Sequence, residues 1–193
     1  DLDSEAITQD GTSYTRLNYK DARFSHQPGA PLLPYSVYRV AIPPGASVKL
    51  QYSIQQEQQL SGQTILPAVV LSEIDENSTL PIRNDIYSSS TPYPSEIVTV
   101  SKPYRFRQMN VVDVKVYPIQ YFAAEQRVRA LKRISIQLML SSANLSKTGA
   151  IRGSHYHLKK TILNFKQAKS WAEAPQRLAK NGRVDYDFSL SQW

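Results

Sequence analysis

The residues that most often carry catalysis are scarce in this chain. Its 193 residues include no cysteine and three histidines, His26, His155 and His157. A thiol nucleophile is therefore excluded, and no Gly-x-Ser-x-Gly turn accompanies the histidines to present a serine. The few carboxylates, such as Asp75 and Glu76, stand in a polar stretch without the apolar neighbours that tune a catalytic acid. We predict that this segment has no catalytic activity of its own.

Metal and cofactor sites are equally hard to place. His155 and His157 are two positions apart and would point the same way on a strand, but no third ligand stands near them. We therefore interpret both as surface histidines. Neither a Gly-x-Gly-x-x-Gly nor a phosphate-binding loop sequence occurs. The sequence predicts no metal and no cofactor.

Basic residues dominate the charge, with 23 lysines and arginines against 16 carboxylates and a formal net charge of +7. Arg105 and Arg107 lie two positions apart, as do Arg127 and Arg129, and aromatic residues are interleaved with them. A polyanion-binding groove uses such a mixture, but no recognised nucleic-acid motif accompanies it. We predict that these four arginines form a docking surface for an acidic protein partner, and that the chain does not bind nucleic acid.

The elements that would position these side chains are short strands. Hydrophobic residues make up 41% and charged residues 20%, as in a globular protein, and 12 prolines with 12 tyrosines favour strands joined by rigid turns. Three stretches alternate apolar and polar residues with the period of two of a half-buried strand. We predict an all-β protein, an antiparallel β-sandwich with one short C-terminal helix. The inward-facing side chains are expected to be Val48, Leu50, Tyr52, Ile54, Val112, Val114, Val116, Ile134, Ile136 and Leu138.

Several connections between these strands carry their own predictions. Residues 55–63 are rich in glutamine and are expected to be a polar connection, whereas residues 65–71 form an apolar run that contains Pro67. Residues 72–94 then form a loop of unusual length, and loops of this kind are often functional. No apolar run approaches the roughly 18 residues that a membrane-spanning helix needs.

In the C-terminal part, the spacing of the apolar residues changes from that of a strand to that of a helix. Leu158, Ile162 and Phe165 recur at helical spacing, so a single helix is expected to end near residue 171. We predict a sandwich domain over residues 1–171 and an exposed linker toward a following domain over residues 172–193. Lys180 and Arg183 flank an Asn-Gly turn in this linker and are the expected maturation cleavage sites.

Two segments are similar to a known family. Residues 29–34, Gly-Ala-Pro-Leu-Leu-Pro, resemble an early Gly-x-Pro-x-Leu-Pro signature of the propeptides of gingipain-type (C25) cysteine peptidases. Residues 94–103 resemble the Pro-Gly-Glu-Ile stretch of the same family and its later proline, and residues 112–121 follow at matching distance. The similarity covers about residues 29–140 and continues weakly at Asn164, Ala168 and Trp171. On these motifs the chain is identified as a member of the C25 propeptide family.

This resemblance implies a function. Propeptides of this family are β-sandwiches that precede a caspase-like catalytic domain, help it to fold and block its active site until they are removed. The precursors are secreted, many through the type IX route of Bacteroidetes, so a secreted or cell-surface location is expected. The implied partner is the downstream catalytic domain of the same precursor, which would hold the catalytic cysteine and histidine. We expect the chain itself to be a monomer.

The resemblance also points to an inhibitory loop. In arginine-specific relatives a basic residue after the apolar strand enters the specificity pocket, and the corresponding place here is Ser72-Glu73. Glutamate cannot mimic arginine, so either the cognate peptidase has another preference, or Arg83 takes this part, or the domain is not an inhibitor. The alternative function is a non-inhibitory β-sandwich module for adhesion or docking in a large secreted bacterial protein.

Overall fold

Antiparallel strands make up most of the protein in this computed structural model, which describes residues 3–9, 11–18, 22–69, 80–107, 109–141, 156–173 and 182–189. The strands are β1 Asp3–Gln9, β2 Thr12–Asn18, β3 Arg23–Phe24, β4 Pro34–Ile42, β5 Ser47–Leu60, β6 Val98–Val100, β7 Tyr104–Phe106, β8 Met109–Val116, β9 Ile119–Phe122, β10 Arg127–Ser141 and β11 Gly182–Ser189. The helices are α1 Asn84–Tyr87, α2 Tyr156–Thr161 and α3 Phe165–Glu173, and a 3-10 turn spans Ala123–Glu125.

Two sheets face each other and a hairpin lies beside them. The first sheet has the order β3-β4-β8-β6, with β7 pairing the first residues of β8. The second has the order β11-β10-β5, with β9 also pairing β10. Strands β1 and β2 form the separate hairpin. All of these pairings are antiparallel, so the predicted all-β class is confirmed.

The core between the sheets follows the predicted alternation with one exception. Six of the ten expected side chains are buried in one cluster, and Val48, Leu50 and Ile54 of β5 pack against it while half-buried. The prediction is wrong for Tyr52, which is 44% exposed although it lies opposite Ile136. Because β5 is the outermost strand of its sheet, one side of the Tyr52 ring meets solvent. The six buried side chains are Val112, Val114, Val116, Ile134, Ile136 and Leu138.

Strand β5 is longer than its sequence suggests. The glutamine-rich residues that were expected to form a connection continue the strand to Leu60, with Gln59 opposite Arg129 and Glu57 opposite Leu131. This half of β5 is almost wholly exposed, so its side chains face solvent on both faces. Burial alone produces the alternating pattern, and a strand that buries nothing does not show it.

Two helices, and not the single one predicted, cover the outer face of the first sheet. Leu158, Ile162 and Phe165 are buried there as expected, against Ala41 of β4 and Val111 of β8. The helical pattern continues across the break because both α2 and α3 use the same apolar face. None of the helices in the described ranges is long and apolar enough to cross a bilayer.

Residues at the break between α2 and α3 form hydrogen bonds with backbone groups along the edge of β4. Asn164 accepts a hydrogen bond from the Ala41 N–H through Oδ1 at 2.8 Å and donates from Nδ2 to the Ala41 carbonyl at 2.9 Å. The Leu163 N–H donates to the Arg39 carbonyl at 2.9 Å. Strand β3 pairs only with the first two residues of β4, so these bonds replace a missing neighbour.

Strand β11 lies within the segment predicted as a linker. It pairs with β10 from Ser189 opposite Arg133 to Gly182 opposite Leu140. Its sequence alternates Val184, Tyr186 and Phe188 with charged residues, which is the pattern of a strand with one apolar face.

Candidate functional site

The two segments that flank residues 70–79 meet at one residue, Gly29. The Gly29 N–H donates to the Ala68 carbonyl at 2.8 Å, and the Gly29 carbonyl accepts from the Arg83 N–H at 3.0 Å. The Ala68 N–H donates in turn to the Ala30 carbonyl at 2.8 Å. Gly29 therefore joins Ala68, which precedes the expected inhibitory loop of residues 72–94, to Arg83 within that loop, and we call this arrangement the Gly29 clamp.

Glycine is required in this clamp for two reasons. Its φ of +74° lies in the left-handed region that other residues adopt at a cost. In addition, a Cβ at this position would lie 3.1 Å from Cγ of Arg83, 3.2 Å from the Arg83 nitrogen and 3.3 Å from the Pro81 carbonyl oxygen. The Gly-x-Pro-x-Leu-Pro signature thus begins with the one residue type that lets the two segments approach so closely.

The rest of the signature is anchored beneath the clamp. Ser25 is buried, donates from Oγ to the Pro31 carbonyl at 3.0 Å and accepts from the Leu33 N–H at 3.1 Å. The Leu32 N–H donates to the Leu66 carbonyl at 2.8 Å. Leu33 is fully buried in the second core cluster. These contacts fix the clamp to the body of the domain.

Helix α1 is held to the same base by Tyr87. Its hydroxyl donates to the Ile65 carbonyl at 2.7 Å, and its ring lies edge-on to Tyr121 with 6.0 Å between centroids. Burial raises the pKa of Tyr87 well above its ordinary value, so the hydroxyl remains a donor throughout the physiological range.

Of the three candidate inhibitory residues, the structure describes Arg83, whereas Ser72 and Glu73 lie outside the described residues. Arg83 precedes α1, and its Nε donates to Oδ1 of Asp85 at 3.1 Å. Its terminal nitrogen pairs with the other Asp85 oxygen, and the hydrogen bond from Arg83 holds the pKa of Asp85 below its usual value. The Arg83 side chain remains 38% exposed beside the clamp.

The four arginines of the expected docking surface do not lie together. Arg105 belongs to β7 at the end of the sandwich where β5 begins with Ser47, whereas Arg129 lies opposite Gln59. Those two positions on β5 are about 40 Å apart at about 3.3 Å per residue. The structure thus brings Arg105 near Arg107, and Arg127 near Arg129, but separates the pairs.

The two pairs also differ in charge compensation. Arg127 pairs with Glu125 at 2.7 Å and its guanidinium lies 3.8 Å from the centre of the Phe122 ring. Arg129 pairs with Glu57, whose pKa it lowers through a hydrogen bond. In the described part of the chain, Arg105 and Arg107 have no carboxylate partner. Of these two pairs, Arg105 and Arg107 are therefore the one whose positive charge is uncompensated within the described residues.

The remaining predicted residues are dispersed. Lys180 and His155 lie outside the described residues, and Arg183 is in β11 opposite Met139. His26 and His157 are exposed in different parts of the fold. Within the described ranges, no three histidine, aspartate or glutamate side chains are grouped as metal ligands.

One polar network was missed by the sequence analysis. Arg39 donates from Nε to Oδ1 of Asp113 at 2.9 Å and from Nη2 to Oδ2 at 3.2 Å, and the Tyr104 hydroxyl donates to Oδ2 at 2.8 Å. The Arg39 guanidinium also stacks 4.3 Å from the centre of the Phe106 ring. Burial alone would raise the pKa of Asp113, but the hydrogen bonds from Arg39 and Tyr104 outweigh it and lower the pKa. Sequence offers no signal for this pairing, since 74 positions separate its charged members.

The fold places the chain among solved structures that contain gingipain prodomains. One is a complex of the pro- and mature domains of Porphyromonas gingivalis RgpB, with a TM-score of 0.69, 16% identity and coverage of 86% of this chain and 88% of that chain. Another concerns the zymogenic latency of gingipain K from Porphyromonas gingivalis, with a TM-score of 0.60, 17% identity and coverage of 74% and 82%. At such identities the similarity concerns the fold.

The sequence itself matches the Propeptide_C25 family over residues 2–171. The chain belongs to this family, and the resemblance noted in its motifs is confirmed. No curated protein matches it.

Proposed function

We propose that the chain is the N-terminal prodomain of a secreted, gingipain-like cysteine peptidase precursor, and that it inhibits the following catalytic domain and assists its folding. The observation that carries this proposal is the family match over residues 2–171. The lack of cysteine supports the same division of labour, because a thiol nucleophile has to come from another domain. The prodomain itself is not catalytic.

The Gly29 clamp supports the inhibitory part of the proposal. A segment whose two ends are fixed loses less conformational entropy when it enters a pocket than a segment with free ends. The hydrogen bonds of Gly29 to Ala68 and Arg83 fix described residues on either side of positions 70–79 in this way. We therefore place the inhibitory contact at Ser72 and Glu73 or at Arg83.

Arg83 has the chemistry for an arginine-specific pocket. Its guanidinium is partly exposed and already bound to one carboxylate, that of Asp85. A pocket carboxylate would exchange with Asp85 and form the same two-pronged hydrogen bonding. Glu73 would instead suit a pocket that offers hydrogen-bond donors or a cation.

A trans-inhibition assay tests these assignments. The separately produced catalytic domain is titrated with the wild-type chain and with Ser72→Ala, Glu73→Ala and Arg83→Ala variants, and the inhibition constant is measured. Lys166→Ala is the control, because Lys166 is an exposed cation outside the predicted inhibitory and docking residues. A large rise in the constant for one variant and not for the control identifies the residue that enters the pocket.

Other outcomes separate the alternatives. Inhibition that is unchanged in all three variants removes these residues from the mechanism while the inhibitor function stands. No inhibition by the wild-type chain favours the adhesion or docking module. Refolding the denatured catalytic domain with and without the chain tests the folding role, for which we expect a higher yield of active enzyme with the chain present.

Maturation and export complete the proposal. We place the first cleavage at Lys180 in preference to Arg183, since the backbone of Arg183 belongs to a paired strand. Export through the type IX route is tested by expressing the precursor in a Bacteroidetes host with and without that system. Precursor that reaches the medium in both hosts would contradict the route but not the inhibitor function.

A further inference from the structure

A cleft of about 750 Å³ opens between the β4–β5 turn and the connection from β6 to β7. Its apolar lining comes from Ile42, which is buried, and from Val48 and Val100, which are half-buried. Lys102 and Arg105 are exposed at its rim. The cleft lies at the Ser47 end of β5, whereas the Gly29 clamp belongs with the opposite end of the sandwich, so the two are separate surfaces.

The charge of this cleft is uncompensated. Its lining residues include no carboxylate, and in the described part of the chain neither Lys102 nor Arg105 forms an ion pair. Arg105 is nevertheless held in place, because its Nε donates to the Arg107 carbonyl at 3.1 Å. Among the described residues, the two terminal amino groups of its guanidinium have no hydrogen-bond acceptor, and they match the geometry of a carboxylate.

The cleft also borders a strand edge that has no paired neighbour within the described ranges. Strand β6 is the last strand of its sheet, and the Ile97 carbonyl and the Ser101 N–H bond toward β8, at 2.8 Å to Tyr117 and 2.9 Å to Asp113. Because hydrogen-bonding directions alternate along an antiparallel strand, the N–H and carbonyl of Val100 point away from β8. An extended peptide can pair with such groups.

We propose that this cleft binds an extended, acidic peptide segment of a partner protein. Carboxylates of the segment would bind Lys102 and Arg105, an apolar side chain between them would contact Val48 and Val100, and its backbone would pair with Val100. The net charge of +7 attracts such a partner over a longer range. This surface does not depend on the inhibitory function proposed above.

Charge and shape favour a protein over a nucleic acid. A single strand of nucleic acid requires a row of cations along its phosphates and free aromatic faces for its bases. The cleft supplies two cations, and the ring of its aromatic residue Tyr104 already has the Arg39 guanidinium 5.6 Å from its centre.

Peptide binding to the whole chain tests the proposal. The probe is a fluorescent ten-residue peptide of alternating Glu and Val, and the comparison peptide has Gln in place of every Glu. Fluorescence anisotropy should show binding of the Glu peptide that is at least about tenfold tighter than that of the Gln peptide. The Lys102→Glu/Arg105→Glu variant should lose at least about tenfold in affinity for the Glu peptide.

A control variant separates the cleft from net charge alone. Arg133→Glu/Lys166→Glu makes the same change of formal charge at two exposed positions away from the cleft. It should bind the Glu peptide within about twofold of wild type at physiological ionic strength, where distant surface charges are largely screened. Equal losses in the two variants would overturn the proposal.

Three further results would also overturn it. These are equal binding of the Glu and Gln peptides, unchanged binding by the cleft variant, and binding of heparin without any binding of the Glu peptide. Hydrogen exchange gives an independent reading, since the Val100 amide should exchange more slowly in the peptide complex. If the double variant melts at a lower temperature than wild type, Arg105→Gln replaces it. Its affinity for the Glu peptide should also be lower than that of wild type.

Discussion

Replacing Gly29 by alanine perturbs the clamp at its centre, and Gly62→Ala provides a matched comparison. Both glycines have left-handed backbones, with φ of +74° and +70°. A Cβ at Gly62 meets no atom within 4 Å, whereas at Gly29 it meets Arg83 and Pro81. The difference between the two variants therefore isolates the close approach of the two segments.

The expected loss in the free energy of unfolding follows from these contacts. An L-residue in the left-handed region costs about 1–2 kcal/mol, and both variants include this loss. At Gly29 the Arg83 side chain can move aside, but the Arg83 nitrogen at 3.2 Å and the Pro81 oxygen at 3.3 Å belong to the backbone. Displacing them weakens the hydrogen bond from Arg83 to Gly29, which contributes about 1 kcal/mol. We expect Gly29→Ala to lower the free energy of unfolding by about 2–3 kcal/mol and Gly62→Ala by about 1–2 kcal/mol.

Urea denaturation at constant pH measures both losses, provided that the slope of the unfolding curve is the same in all three proteins. Hydrogen exchange of the Arg83 amide reports the clamp directly and should accelerate in Gly29→Ala only. If the two variants were equally stable and the Arg83 amide exchanged as in wild type, the clamp would not hold these segments together.

Three other predictions concern the core, the partly buried Arg39–Asp113 ion pair and the C-terminal segment. Val114→Asp places an unpaired charge in the core and should lower the free energy of unfolding by several kcal/mol, so a variant that melts like wild type would refute the assigned face. The lowered pKa of Asp113 means that its pairing with Arg39 stabilises the fold above the unfolded pKa near 4 and is lost as the pH falls through the folded value. Asp113→Asn should therefore cost about 2 kcal/mol at pH 7 and flatten the fall in melting temperature below pH 4, and a fall as steep as in wild type would contradict this. Limited trypsin digestion should cut after Lys180 before Arg183, and first fragments that end within residues 94–140 would contradict the domain boundary.

The sequence correctly predicts the strands that bury one face in the core and expose the other. Val112, Val114 and Val116 alternate with polar residues because β8 is central and buried, and the structure confirms them. The exposed half of β5 has no such contrast, so its glutamines resembled a loop. The sequence of β11 does alternate from Val184 to Phe188, but the neighbouring Asn-Gly pair predicts a turn and an exposed linker there.

Contacts between distant residues could not be predicted from one sequence. The spacing of Arg127 and Arg129 suggests a shared face, but nothing in it reveals that Glu125 and Glu57 neutralise them. Likewise, the Gly29 signature can be recognised as a motif, but its pairing with Ala68 and Arg83 depends on how three separate segments fold together. Local patterns encode burial and turns, whereas tertiary pairing depends on the whole chain.

The paired bonds between Asn164 and Ala41 join positions that are 123 residues apart. A contact of such long range can form only after nearly the whole domain has been synthesised. Until residue 164 leaves the ribosome, the edge of β4 at Ala41 lacks this amide partner, and the unfinished sheet exposes backbone N–H and carbonyl groups there. Completion of the fold is thereby timed to the last part of the domain to be synthesised.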